Sequence, residues 1–235
     1  DGVSLPVTTT PTKWRNTQGH PESRFVLYHL LNLDGHGEIE HDLDSEPFII
    51  GYLARICPEK GLHLLVEAFY QLTQKLGKDK IRLKVAGYLG ARDQAYFDQI
   101  CQQLRNWNIF DTFEYWGEIG REQKIRFLNQ IHVLSVPTVY RESKGLFVLE
   151  SLANGTPVVL PDHGSFPELV QATAGGILVQ PLSADATAKG ILELIQNQDL
   201  CQQLGKNGKQ TVHQEFGISR TAKNMLAVFR DYVSS

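Results

Sequence analysis

From residue 48 onward, short apolar runs alternate with longer segments whose apolar residues recur every three or four positions. Residues 48–54 (FIIGYLA) make a continuous apolar run of strand length. In residues 62–76, Leu64, Leu65, Ala68, Phe69 and Leu72 fall at helical spacing, which predicts an amphipathic helix. The alternation continues with a strand over 81–86 closed by Gly87, a helix over about 91–107, a short strand over 113–116 and a helix over 121–130. An apolar run over 131–136 follows, then a loop, a helix ending at Gly155, a strand over 156–160, a helix opening at Pro167 and a strand over 175–179. Three helices, near 184–196, 200–214 and 219–232, close the chain. Six strands alternating with helices predict an α/β domain, a doubly wound parallel sheet with helices on both faces and a helical C-terminus.

Residues 1–46 break the pattern. They are rich in Thr, Pro, Gly, His and acidic residues, and only 25–33 (FVLYHLLNL) are apolar enough to pack. The expected division is an N-terminal arm or linker over 1–46 and one ligand-binding domain over 47–235. Within the arm, 34–44 (DGHGEIEHDLD) places His36 and His41 among carboxylates. Its spacing matches no metal motif, so it reads as a solvated acidic loop and no metal is assigned.

Composition narrows the function. The 235 residues are 42% hydrophobic, enough for a sizeable core, and carry a net charge of −3 with no long run of one sign. Neither nucleic acid nor an anionic membrane surface is expected as main partner. Three widely separated cysteines, Cys57, Cys101 and Cys201, show no CxxC spacing and read as reduced thiols of a cytoplasmic protein. No apolar stretch approaches membrane-spanning length. The chain opens at Asp1 and holds one methionine, Met225, so it is expected to be a piece of a longer protein, a processed product or a separate subunit.

The candidate chemistry lies in two loops that leave strands. In a parallel sheet such loops stand at the carboxyl edge, where ligands bind. After the first strand come Arg55 and, ahead of Gly61, Lys60, two cations without the GxxxxGK[ST] of a P-loop. After the 131–136 strand comes VPTVYRESKGLFVLESLANGTP, with Glu142 and Glu150 eight residues apart and Gly145 between them. Gly145 lets a ligand approach the backbone closely. The N–H groups of the helix beyond it form an anion site. Each carboxylate accepts two hydroxyl hydrogen bonds, so the pair suits a polyhydroxy ligand bearing phosphate. Alone, each feature has an ordinary explanation: surface cations, and glutamates favoured early in a helix.

The run ESKGLFVLESLANGTPVV resembles the E-x7-E signature of retaining glycosyltransferases of the family 4 (group 1) type, which have the GT-B fold. Glu142, Gly145, Leu146, Glu150, Gly155, Pro157, Val158 and Val159 fit it. Lys144 departs, since that place is more often apolar, and Ser165 stands where the family's Gly-Gly-x-x-Glu has its second Gly while Glu168 matches. The likeness covers roughly residues 47–235. It implies a Rossmann-like domain, the second and donor-binding half of a two-domain enzyme, that transfers a sugar from a nucleotide-diphosphate sugar with retention of configuration. By that likeness Arg55 and Lys60 hold the donor diphosphate together with backbone near Gly145 and Leu146. Glu142 holds sugar hydroxyls, Glu150 the ribose diol, and Gly117 and Ile119 the base. Glu142, Arg55 and Lys60 would then be the catalytic group. No cofactor or metal is expected. The implied partners are the nucleotide-sugar donor and an N-terminal acceptor-binding domain, with membrane contact only through the latter. A different enzyme of the same fold, such as an epimerase or phosphorylase, and a non-catalytic nucleotide-sugar-binding module or subunit are the alternatives.

Overall fold

The computed structural model describes residues 31–38 and 46–233. Six strands build one sheet: β1 (Phe48–Leu53), β2 (Ile81–Ala86), β3 (Phe113–Tyr115), β4 (Val133–Ser135), β5 (Val158–Pro161) and β6 (Gly176–Val179). Their order is β3-β2-β1-β4-β5-β6, and every pair is parallel. The expected doubly wound α/β sheet is therefore present. β1 and β4 are the central neighbours, joined through Ile50 opposite Val133 and Gly51 opposite Leu134. Their inner residues are closed from water on both faces, as Ile50, Tyr52, Val133 and Leu134 show. This is why these strands read as unbroken apolar runs rather than alternating ones.

The helices follow from the connections. α1 (Leu62–Leu76), α2 (Gln94–Asn106) and α3 (Arg121–Leu128) cover the β1-to-β4 half in sequence, and α4 (Leu146–Ala153) and α5 (Phe166–Thr173) connect β4 to β5 and β5 to β6. Right-handed crossovers put α1 and α2, which lead leftward from β1, on one face, and α3, α4 and α5, which lead rightward, on the other, where Lys124 of α3 meets Glu150 of α4. α6 (Ala184–Gln196) returns to pack on α1, β5 and β6, while α7 (Gln198–Glu215) packs on α4 and α5. α8 (Ile218–Val233) ends the described chain. α1 buries Leu65, Ala68, Phe69 and Leu72 of the stripe its spacing predicts, together with Leu62 and Val66, while Leu64 is only half-buried.

The reversal of strand order between β1 and β4 matters most. The chain leaves β1 toward one face and β4 toward the other, so a crevice opens between their carboxyl ends.

Two expectations need correction. In the segment beginning at Asp34 the described carboxylates, Asp34 and Glu38, are exposed as a solvated loop requires, but His36 is not. Leu31 is bridged to Gly217, and His36 is 3% exposed, with its Nδ1 2.8 Å from Asn154 Nδ2. The physical reason is that Asn154 leaves α4 with an amide that needs buried partners: Gly37 N donates to its Oδ1 at 3.2 Å, and its Nδ2 donates to the Glu150 carbonyl at 2.7 Å. An acceptor at His36 Nδ1 completes that set. Residues 25–30 and the rest of the acidic stretch, with His41, lie outside the described residues. The other correction concerns lengths: the strand expected over 156–160 starts at Val158, because the Thr156 side chain donates to the Leu128 carbonyl at 2.9 Å and ties that residue to α3 instead.

Candidate functional site

The loops after β1 and β4 meet in the crevice. After β1 the chain passes exposed Arg55 and enters a single 3-10 turn, Pro58–Lys60, ending at Gly61 with φ 74°. A side chain on Gly61 would place its first carbon 1.8 Å from the Pro137 carbonyl oxygen. Glycine at this place lets the two loops touch. Val139 N donates to the Glu59 carbonyl at 2.9 Å and holds them together.

Lys60 and Glu142 form a nearly buried ion pair. Lys60 Nζ lies 2.5 Å from Glu142 Oε2, with the side chains 12% and 10% exposed. Tyr140 Oη donates to the same oxygen at 2.9 Å. The other carboxylate oxygen accepts from Ser143 N at 3.1 Å and Lys144 N at 3.3 Å. The Lys60 ammonium also lies over the rings of Tyr140 and Phe147, 5.2 and 5.7 Å from their centres. Burial by itself raises the Glu142 pKa; the Lys60 ammonium and Tyr140 hydroxyl outweigh it and hold the carboxyl below its ordinary range. Burial likewise pulls Lys60 down, but Glu142 and Tyr140 hold it above its ordinary value. Both are therefore charged at neutral pH.

Gly145, at φ 62°, turns the chain into α4. A side chain there would meet Leu169 at 2.8 Å. The N–H groups of Leu146 and Phe147 meet no acceptor among the described residues, since the first backbone bond here is Val148 N to the Gly145 carbonyl. Leu146 itself is 39% exposed. The crevice thus holds an open helix N-terminus beside a charged lysine and an exposed arginine, an arrangement that attracts anions.

Glu150, further along α4, stands apart from Glu142. It is paired with Lys124 of α3 at 2.5 Å. The two carboxylates therefore do not converge on one point as a shared hydroxyl site; each has its own lysine. Gly117, at φ 71°, and half-buried Ile119 lie in the loop that runs from β3 into α3. That loop joins the same edge, because Gly87 N donates to the Gly117 carbonyl at 2.8 Å and Ile56 N to the Tyr88 carbonyl at 2.9 Å. The structure therefore places Arg55, Lys60, Glu142, Gly145 and Leu146 around the crevice, with Glu150, Gly117 and Ile119 along the adjoining edge.

Several participants had no signal in the sequence. Lys124 lies 26 residues from the glutamate it pairs with, a separation no local pattern reveals. Tyr140, two residues before Glu142, shows as a partner only because the loop folds back on itself. The loop after β5 buttresses the site: Ser165 N donates to the Glu142 carbonyl at 2.8 Å, and His163 Nε2 donates to the Thr138 carbonyl at 2.9 Å. Glu168, named by its spacing, has one buried carboxylate oxygen without a partner, and burial raises its pKa. Among the described residues no cluster of histidine, cysteine or carboxylate side chains could hold a metal ion, and no helix is long and apolar enough to cross a membrane. Cys57, Cys101 and Cys201 are buried thiols.

Comparison with known proteins bears on the fold and the family. An uncharacterised glycosyltransferase of Methanocaldococcus jannaschii is 26% identical over 187 residues, 80% of this chain and 45% of that protein. The C-terminal domain of a group 1 glycosyl transferase from Francisella tularensis superimposes with a TM-score of 0.71 at 20% identity, over 80% of this chain and 99% of that domain. The Anabaena HepE protein, in complex with UDP-glucose, superimposes with a TM-score of 0.77 at 18% identity, over 88% of this chain and 57% of its own. The chain spans about half the length of the curated relatives it matches. The model of the family described as "Glycosyl transferases group 1" matches residues 38–211, most of the chain and every residue of the crevice, and the chain belongs to that family.

Proposed function

We propose that this chain is the donor-binding half of a retaining glycosyltransferase that transfers a sugar from a nucleoside diphosphate sugar. The observation that carries the reading is the crevice between β1 and β4. A buried lysine–glutamate pair, an exposed arginine and the open N-terminus of α4 there lie within one family-wide match. The complex of the Anabaena relative with UDP-glucose supports a nucleotide sugar as ligand.

In sugar transfer the bond from the anomeric carbon to the diphosphate breaks, and negative charge grows on the leaving oxygens. Positive groups fixed in place before reaction stabilise that charge without reorganising. Arg55, Lys60 and the N–H groups of Leu146 and Phe147 supply this potential, so the reading needs no divalent ion. Glu142 orients sugar hydroxyls. All four of its acceptor positions are occupied by Lys60, Tyr140, Ser143 and Lys144, so a sugar hydroxyl exchanges with one of these donors. Glu150 takes the ribose diol, sharing it with Lys124, and Gly117 and Ile119 take the base. The acceptor is held by the other half of the protein, across the crevice. Orientation by that half contributes roughly 7–11 kcal/mol of barrier lowering, so the chain alone binds donor without transferring sugar.

The experiment is calorimetric titration of the chain with UDP, GDP, ADP and their glucose conjugates, with and without EDTA, followed by a transfer assay before and after adding the other half. The expected result is nucleotide affinity indifferent to EDTA and transfer only when both halves are present. Glu150→Gln should weaken the free nucleotide, and Glu142→Gln chiefly the sugar conjugate. Binding of none of these nucleotides, or full transfer by the chain alone, refutes the reading.

A further inference from the structure

We propose that Lys144 is a further donor-binding residue of this site, its ammonium meeting the diphosphate; the inference rests on the donor-site reading above. The expected phosphate cation, Lys60, has its charge offset by Glu142 at 2.5 Å in a pair that water hardly reaches. A doubly anionic diphosphate cannot draw fully on a lysine so engaged. The cations left uncompensated on these two loops must supply the difference.

Lys144 stands one residue before the αL turn at Gly145 that opens α4. Its backbone is anchored, with N–H donating to Glu142 Oε1 at 3.3 Å. Its side chain is exposed and makes no ion pair or hydrogen bond among the described residues. A lysine at the positive end of a helix is opposed by the helix dipole. Neither packing nor a carboxylate compensates it here, whereas an anion seated on the open N–H groups of Leu146 and Phe147 would reverse the sign of that interaction. An independent observation points to a ligand at the same place. Ser165 is 3% exposed and its hydroxyl has no partner, yet it lies 3.4 Å from where a side chain on Gly145 would begin. A buried donor left unbonded against the mouth of a helix is a group awaiting an acceptor. Lys144 and the Ser165 hydroxyl thus both border Gly145, where α4 opens.

The test is calorimetry on the 235-residue chain with UDP, GDP and ADP, and with the corresponding nucleosides, at low ionic strength. For whichever diphosphate binds the wild type, Lys144→Ala should weaken it about tenfold, the loss of one charge-assisted hydrogen bond. Lys144→Arg should stay within about threefold of wild type because guanidinium also grips phosphate. Nucleoside affinity should be unchanged, and so should the melting temperature, because the side chain is exposed and makes no ion pair or hydrogen bond among the described residues. Arg141→Ala, which removes a neighbouring exposed cation, should change diphosphate affinity by less than about threefold. If Lys144→Ala binds diphosphate as wild type does while Arg55→Ala weakens it, Lys144 has no such role and the donor site stands. Equal losses from Arg141→Ala and Lys144→Ala would mean diffuse surface charge and overturn the assignment. Wild type binding none of the diphosphates overturns both readings.

Discussion

The Lys60–Glu142 pair can be measured without any ligand, by a double-mutant cycle using Lys60→Met and Glu142→Gln. Removing one member of a fully buried pair costs roughly 3–5 kcal/mol, because the other charge is left unpaired. Here the side chains are 12% and 10% exposed, and without Lys60 the carboxylate keeps three donors, Tyr140 Oη and the N–H groups of Ser143 and Lys144. Those bonds reduce the expected loss for Lys60→Met to about 2–3 kcal/mol. Glu142→Gln leaves the ammonium over two aromatic rings at 5.2 and 5.7 Å, each contributing roughly 0.5–1 kcal/mol. Its loss should be smaller, about 1–2 kcal/mol. The double variant buries no charge and should lose only about 2 kcal/mol in total, so the coupling should be about 1–3 kcal/mol. The assay is urea unfolding followed by far-UV circular dichroism, at pH 7 and again at acid pH. The sign follows from Glu142, whose folded pKa lies below its ordinary value. Its contribution is complete above the ordinary carboxylate range and is lost as pH falls through the folded value, so the coupling must shrink on acidification. Single-variant losses that add to within about 0.5 kcal/mol at pH 7 would refute the reasoning.

Other outcomes follow from the same geometry. Arg55→Ala should leave the unfolding midpoint unchanged, because its exposed side chain makes no hydrogen bond or ion pair among the described residues; its diphosphate affinity should fall about tenfold to a hundredfold by calorimetry. His36 has its pKa lowered from 6.5 to about 4 by burial and by the nearby cations Arg121 and Lys124. Neutral His36 favours the fold, so stability should fall as pH drops from 6.5 toward 4, by at most about 3 kcal/mol, and His36→Gln should flatten that part of the pH profile. Gly61→Ala should destabilise the chain by about 2–3 kcal/mol and abolish nucleotide binding, since it forces the β1 loop off the Pro137 carbonyl; a variant that melts and binds as wild type does would show the loop contact to be immaterial.

The local elements were determined by the sequence itself. The helices over 62–76 and 184–196 lie where their periodicity puts them, because an amphipathic stripe can be buried in only one register of a helix. The central strands declared themselves by unbroken apolar runs, and strand ends shifted by a residue or two where side chains such as Thr156 found partners outside the sheet. The loops bearing Arg55, Lys60, Glu142 and Gly145 were legible because a parallel α/β pattern leaves only one edge for them. The tertiary structure decided the rest. Strand order is set by which apolar faces pack best together, and only the reversal between β1 and β4 brings Lys60 against Glu142, 82 residues away. Likewise, Lys124 reaches Glu150 and Asn154 buries His36 through contacts between elements distant in the chain. A sequence specifies which residues carry charge. Which charges neutralise each other, and which remain open to a ligand, depends on distances of a few ångströms that exist only once the sheet has closed.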